Sequence, residues 1–224
     1  MSSIKFPSIE EKRSGRAKLN QAAITALFIG ALSGTITSLA GSAIYRAKKW
    51  QASPRVRLLV GGLATAVTAV TLIKIAAPAA GVGPGGGAIL WAEGANALPL
   101  ILLAVALLRA TATTAAVAAG GCGGVFVPFL AVGDLGGRVF APGLGIGNDL
   151  AGAAGAAAGI AGGYHLPFTA AAMVLGVGGP HLATLTCLAT VVTADLAGSR
   201  AALLFDRFTG LLHFRKPPSA SSAA

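Results

Sequence analysis

Charge is what this sequence has least of. Of 224 residues, 17 are Lys or Arg and 7 are Asp or Glu, so 11% are charged, against about 25% in a soluble domain. None lies between Lys18 and Arg46, between Arg109 and Asp134, or between Asp149 and Asp195. The first two gaps each accommodate one membrane helix of about 20 residues. The third accommodates two spans or several shorter, broken ones. With a mean hydropathy of +0.76, this pattern argues against a soluble Gly/Ala-rich α/β core and for an all-α integral membrane protein.

Cysteine is nearly absent. Cys122 and Cys187 both lie in apolar stretches, which predicts packed thiols rather than a disulfide framework. No catalytic pair of carboxylates, no nucleophile with a partnered base and no metal-ligand spacing appear. An enzyme, a bound metal and an organic cofactor are therefore not expected. His165 and His181, each within two residues of a proline, suggest a proton relay, but lone histidines at helix ends read as structural. The net charge of +10 would suit nucleic acid in a soluble protein. Here the basic residues flank apolar segments, without interleaved aromatics, so they report membrane topology instead.

What is abundant is apolar residues and glycine. Residues 1–19 form a polar, basic tail. The run "AAITALFIGALSGTITSLAGSAIY" follows, too long for a signal-peptide core despite the small residues at 39–43. Its Gly30, Gly34 and Gly41 lie along one helix face, predicting close contact with a neighbouring helix. A basic turn carries Arg46, Lys48, Lys49, Arg55 and Arg57. A second span covers Leu58–Pro78, with Lys74 snorkelling near its end. "GVGPGGGA" (81–88) reads as a loop, and Ala97–Ala119 as a third span interrupted by Arg109. This arginine either steers anions or, as the commoner role, satisfies carbonyls. Asp134, Arg138, Asn148 and Asp149 read as a polar connector, with Asp134 solvated or capped. Beyond it lie an Ala/Gly helix, a break at Pro167, apolar pieces at 168–177 and 182–197, and a disordered tail from 213 to 224. Pieces this short, bounded by Gly or Pro, are tolerated at membrane depth only beside a cavity or inside protein, which points to a transport protein.

"GCGGVFVPFLAVG" (121–133) concentrates that logic. If a helix starts near Val125, Pro128 falls in its first turn, where a missing N–H costs little. Gly123 and Gly124 allow unusual backbone angles and a close-lying ligand. The free amides of Val125 and Phe126 then favour an anion.

"GGVFVPFLAVG" resembles the GxFxP signature of the CLC chloride channels and transporters, with Gly124, Phe126 and Pro128 as the fixed residues. "LRATATTAAVAAGGCGG" is similar to the family's preceding helix, matching its Arg and Thr at Arg109 and Thr113. "AGAAAGIAGGYHLPFTAAAMVL" resembles its Ala/Gly helix, break and Pro-Leu-Thr helix. The resemblance covers residues 22–210 and implies broken, tilted helices forming one half of the CLC inverted-repeat fold. The corresponding membrane domain is 20–212. It implies chloride as substrate, held near mid-membrane by the amides of Val125 and Phe126 with Gly123, Gly124 and Pro128 in support. A tyrosine that donates to the ion in the family is replaced by Phe205, and a glutamate by Gly176.

The family's first half is missing, so the resemblance implies a separately encoded first half or an inverted copy of this chain as partner, in the plasma membrane. A second expectation is a non-transporting fragment with a structural or regulatory role. Family topology places the 46–57 turn and the C-terminal tail in the cytoplasm. Five basic residues before the first span nearly balance five in that turn. Family dimers suggest subunit contacts at Leu182, Leu185, Leu188 and Val192.

Overall fold

A computed structural model describes residues 9–95, 97–178 and 182–213. Of the tail expected over 213–224, His213 is the last residue of the final helix; the rest of it, and His181, lie outside these residues. Among the described residues the chain is helical, without strands. Its elements are α1 (Ile9–Lys49), α2 (Pro54–Ile75), α3 (Pro78–Gly81), α4 (Gly86–Gly94), α5 (Pro99–Ala118), α6 (Phe126–Arg138), α7 (Ala141–Leu144), α8 (Asn148–Tyr164), α9 (Pro167–Gly178) and α10 (Leu182–His213). Among the described residues four stretches are long and apolar enough to cross a bilayer: Asn20–Lys49, Pro54–Ile75, Pro99–Ala118 and Thr184–Thr209. Helix α1 starts well before its span, so the second half of the polar N-terminal stretch is helical rather than a loose tail.

The glycines on α1 do what their spacing predicts. A side chain at Gly34 would meet Ala194 Cα at 2.6 Å, and one at Gly41 would meet the Gly163 carbonyl oxygen at 2.8 Å. Contacts between α1 and α10 advance together. Thr193 donates to the Ala26 carbonyl (2.7 Å), Ser38 to Gly198 (2.8 Å) and Arg46 to Asp206 (2.8 Å). The two helices are therefore parallel, and the start of α1 and the end of α10 open on opposite membrane faces. Fluorescent and phosphatase fusions at the two chain ends should report opposite compartments. Both ends reporting the same side would contradict this pairing.

Helices α2 and α5 run antiparallel, with Arg57 donating to the Ala118 carbonyl at the end of α5 (3.0 Å). Outward-facing Leu59, Leu63, Val67 and Val70 of α2 are exposed, an apolar stripe suited to lipid. Helices α6 and α8, at about 20 and 26 Å, are too short to cross a 30 Å hydrocarbon core. They are sheathed by α1, α5 and α10 and packed on one another through glycine. Gly133 lies against Gly159 and Gly155, and Gly137 against Ala151 and Gly155. Burial in protein is the condition under which such short helices persist at membrane depth.

Three expectations need correction. The 81–88 loop ends early, because α4 starts at Gly86. Gly87 lets it approach α3, where a side chain would meet Ala79 at 2.7 Å from its carbonyl carbon. Asp134 and Arg138 are not connector residues. They lie in α6, buried, with Arg138 Nε donating to Asp134 Oδ1 at 2.7 Å. Glu93 (3.6 Å) and the exposed Asp149 (3.9 Å) flank the same guanidinium. Gly152 makes room for it, since a side chain there would meet Arg138 Nη2 at 2.7 Å. Finally, Cys187 is buried as expected, but Cys122 is an exposed free thiol.

Candidate anion site

Helix α5 ends where Gly120 takes a left-handed conformation, φ 101°. Gly120 N–H donates to the Val117 carbonyl (3.0 Å) and Gly121 N–H to Ala116 (2.9 Å), the paired bonds that close a helix on a glycine. The exposed stretch Gly120–Gly124 then leads to α6, capped by Val125. The expected helix start is thus correct to within one residue, and Pro128 sits buried in the first turn. The unusual backbone angle belongs to Gly120, however. Gly123 and Gly124 do not take positive φ, and a side chain added at either would meet nothing within 4 Å. Open space in front of the helix is what their absent side chains preserve.

Among the described residues no backbone or side-chain acceptor takes the N–H of Val125 or Phe126. Unpartnered amides are usual in a first helical turn. What distinguishes this one is its position beside a cavity of about 310 Å³. Gly123, Gly124, Val125 and Pro128 line one side, and Arg109 and Thr113 another. At about 30 Å³ per water, the cavity has room for roughly ten waters, so an anion entering it can stay partly hydrated.

Phe126 is not among the cavity-lining residues. Its ring lies 6.2 Å from that of Tyr164, which also meets Phe129 edge-on at 5.1 Å. The sequence gives no sign of Tyr164 beyond its place ahead of the Pro167 break. Phe205, expected where the family's tyrosine donor stands, lines a different, apolar cavity with Leu39 and Leu107. The Arg46 guanidinium lies 4.8 Å from its ring centre. The structure therefore brings together Gly123, Gly124, Val125 and Pro128, and leaves Phe205 apart from them.

Val125 and Phe129 pack with Ala40 and Ile44 of α1, the last apolar turn before Arg46. The start of α6 thus lies toward the end of α1 that leads into the 46–57 turn. Arg109 lies deeper, midway along α5 and about 14 Å from its end at 1.5 Å per residue.

A family model described as "Voltage gated chloride channel" matches residues 11–199. The chain belongs to this family. The match runs from the polar part of α1 into α10 and includes Arg109 and the whole Gly124–Pro128 signature. Phe205 lies beyond it. Membership in the voltage-gated chloride channel family brings chloride or anion transport at the level of the family and an integral membrane setting. A comparison with curated proteins found no match.

Proposed function

We propose that this chain carries chloride or a similar small anion as one half of a two-part pathway in the plasma membrane. The observation that carries this reading is the pair of unpartnered amides at the start of α6, with Val125 on the cavity wall. A helix terminus contributes at most about 2 kcal/mol to holding an anion, while a charge inside the bilayer costs several kcal/mol. Gly120–Gly124 are exposed on the surface of the single chain, so the site is open on that side. A complementary half closes it: either a separately encoded first half or a second copy in inverted orientation. The 46–57 turn faces the cytoplasm. No part of this function requires a metal or an organic cofactor.

Chloride efflux from liposomes tests the reading, with the full chain alone and with a candidate first half. In the active arrangement, replacing Val125 by its α-hydroxy acid deletes one donor without changing the side chain. The Gly124 carbonyl, weakened in the ester, would otherwise face the nitrogen of Pro128, which has no hydrogen, so no helix bond is lost. Flux should fall about ten- to hundredfold, as expected for a bond to a charged acceptor. The separation of Phe205 from the cavity favours the other reading, a non-transporting structural or regulatory fragment. Absence of flux in every arrangement would establish that reading instead.

A further inference from the structure

Another cavity, of about 460 Å³, lies where α1, α10 and the break between α8 and α9 meet. It shares no lining residue with the cavity at the start of α6. Ser42, Tyr45 and Arg46 line it from α1, His165 from the break and Asp206 from α10. The backbone at His165 is left-handed, φ 55°, and among the described residues no other non-glycine takes a positive φ. Residues 42–46 fall in the last two turns of the Asn20–Lys49 stretch, and Asp206 in the last turn of Thr184–Thr209. Apolar helix gives way to polar chain there, the level at which tyrosines meet lipid headgroups.

The cavity carries both signs of charge, each with bonding capacity left over. Arg46 Nη2 donates to Asp206 Oδ1 at 2.8 Å. Among the described residues Arg46 Nε and Nη1 have no acceptor, and Asp206 Oδ2 takes no hydrogen bond. The two side chains are 39% and 62% exposed, so a ligand reaches them without breaking the pair. The guanidinium and the Ser42 hydroxyl suit a phosphate, and the free carboxylate oxygen suits an ammonium with N–H groups to donate. An anion alone would face Asp206, and a cation alone would face Arg46. A quaternary ammonium has no N–H for Asp206. One face of the Tyr45 ring, which could hold such a cation, is already covered by Lys49 Nζ, 4.2 Å from its centre. Leu166 and Phe168, next to His165 in the chain, are exposed and add apolar surface.

We propose that this cavity binds the headgroup of phosphatidylethanolamine. The phosphate lies against Arg46 and Ser42, the ammonium against Asp206, and the acyl chains run along Leu166 and Phe168. The bound lipid bridges α1 and α10 at the end where Arg46 and Asp206 already join them. This site is independent of the transport reading, and an absence of chloride flux leaves it standing.

The test is native mass spectrometry of the full chain in detergent, titrated with phosphatidylethanolamine or phosphatidylcholine of the same acyl chains. Wild type should bind the first phosphatidylethanolamine about tenfold more tightly, the worth of one bond to a charged group. Asp206→Ala should abolish the preference, and Arg46→Gln should weaken both lipids. Equal binding by wild type, or a preference that survives Asp206→Ala, overturns the inference. So does phosphatidylglycerol binding more tightly than phosphatidylethanolamine in a manner that depends on Arg46, which would assign the cavity to an anionic lipid. Both side chains reach solvent, so neither substitution leaves a buried group unsatisfied, and melting in detergent should confirm that each variant is folded. Should Arg46→Gln fail to fold, wild type and Asp206→Ala still decide the matter.

Discussion

Gly155→Leu should yield no folded protein, and Gly155→Ala should lower stability by about 1–3 kcal/mol, the range for forcing extra methylenes into a packed core. The first atom of any side chain at 155 would lie 2.8 Å from both Gly137 N and Gly137 Cα, and closer still to the Gly133 carbonyl oxygen. All three are backbone atoms of a helix, so no rotamer change relieves the clash. The intrinsic helix preference of Ala over Gly, about 1 kcal/mol, acts in the opposite direction and is outweighed. Gly62 supplies the control, because a side chain there would meet nothing within 4 Å. Gly62→Ala should leave the protein unchanged or slightly more stable. Thermal loss of the monodisperse species in detergent measures both variants. Equal behaviour at the two positions would mean that α6 and α8 do not pack through these glycines.

Arg138→Met should lower stability by about 3–5 kcal/mol, the cost of leaving one member of a buried ion pair uncompensated. The partner left behind is Asp134, itself buried and held by two bonds at 2.7 and 3.3 Å. The exposed Asp149, 96% accessible at 3.9 Å, contributes little, as solvent-facing pairs do. The double variant Asp134→Asn, Arg138→Met removes both charges and should recover at least half of the loss. The same detergent melting experiment, run on both single variants and the double, closes the cycle. Additive losses would show that the two side chains act independently.

The sequence revealed some of this architecture more clearly than the rest. The start of α6 was legible because glycine and proline carry their backbone requirements with them, and Gly30, Gly34 and Gly41 because helical period alone aligns them. Asp134 and Arg138 were misread because their four-residue spacing suits an exposed helix face and a buried one equally. Only the glycines of α8, distant in sequence, make the buried arrangement possible. Gly86–Ala88 read as loop because helix propensity is a weak prior, and packing against α3 overrode it. Tyr164 and Phe205 mark the limit of positional reasoning. Which aromatic approaches the start of α6 depends on how α8 and α10 cross their neighbours, and no local pattern encodes that. The family-level reading was the most legible of all, since the 11–199 match contains the same Gly-Val-Phe-Val-Pro stretch that drew attention at the outset.

Backbone-on-backbone seating along α6 bears on motion. Side chains that interdigitate can hop between wells, whereas Gly133, Gly137, Gly155 and Gly159 offer no such freedom. Sliding or swivelling α6 would drive its neighbours' carbonyls into its own main chain. The start of α6 is thereby bolted in place, and in the proposed pathway opening or closing falls to the Gly120–Gly124 segment or to the proposed partner.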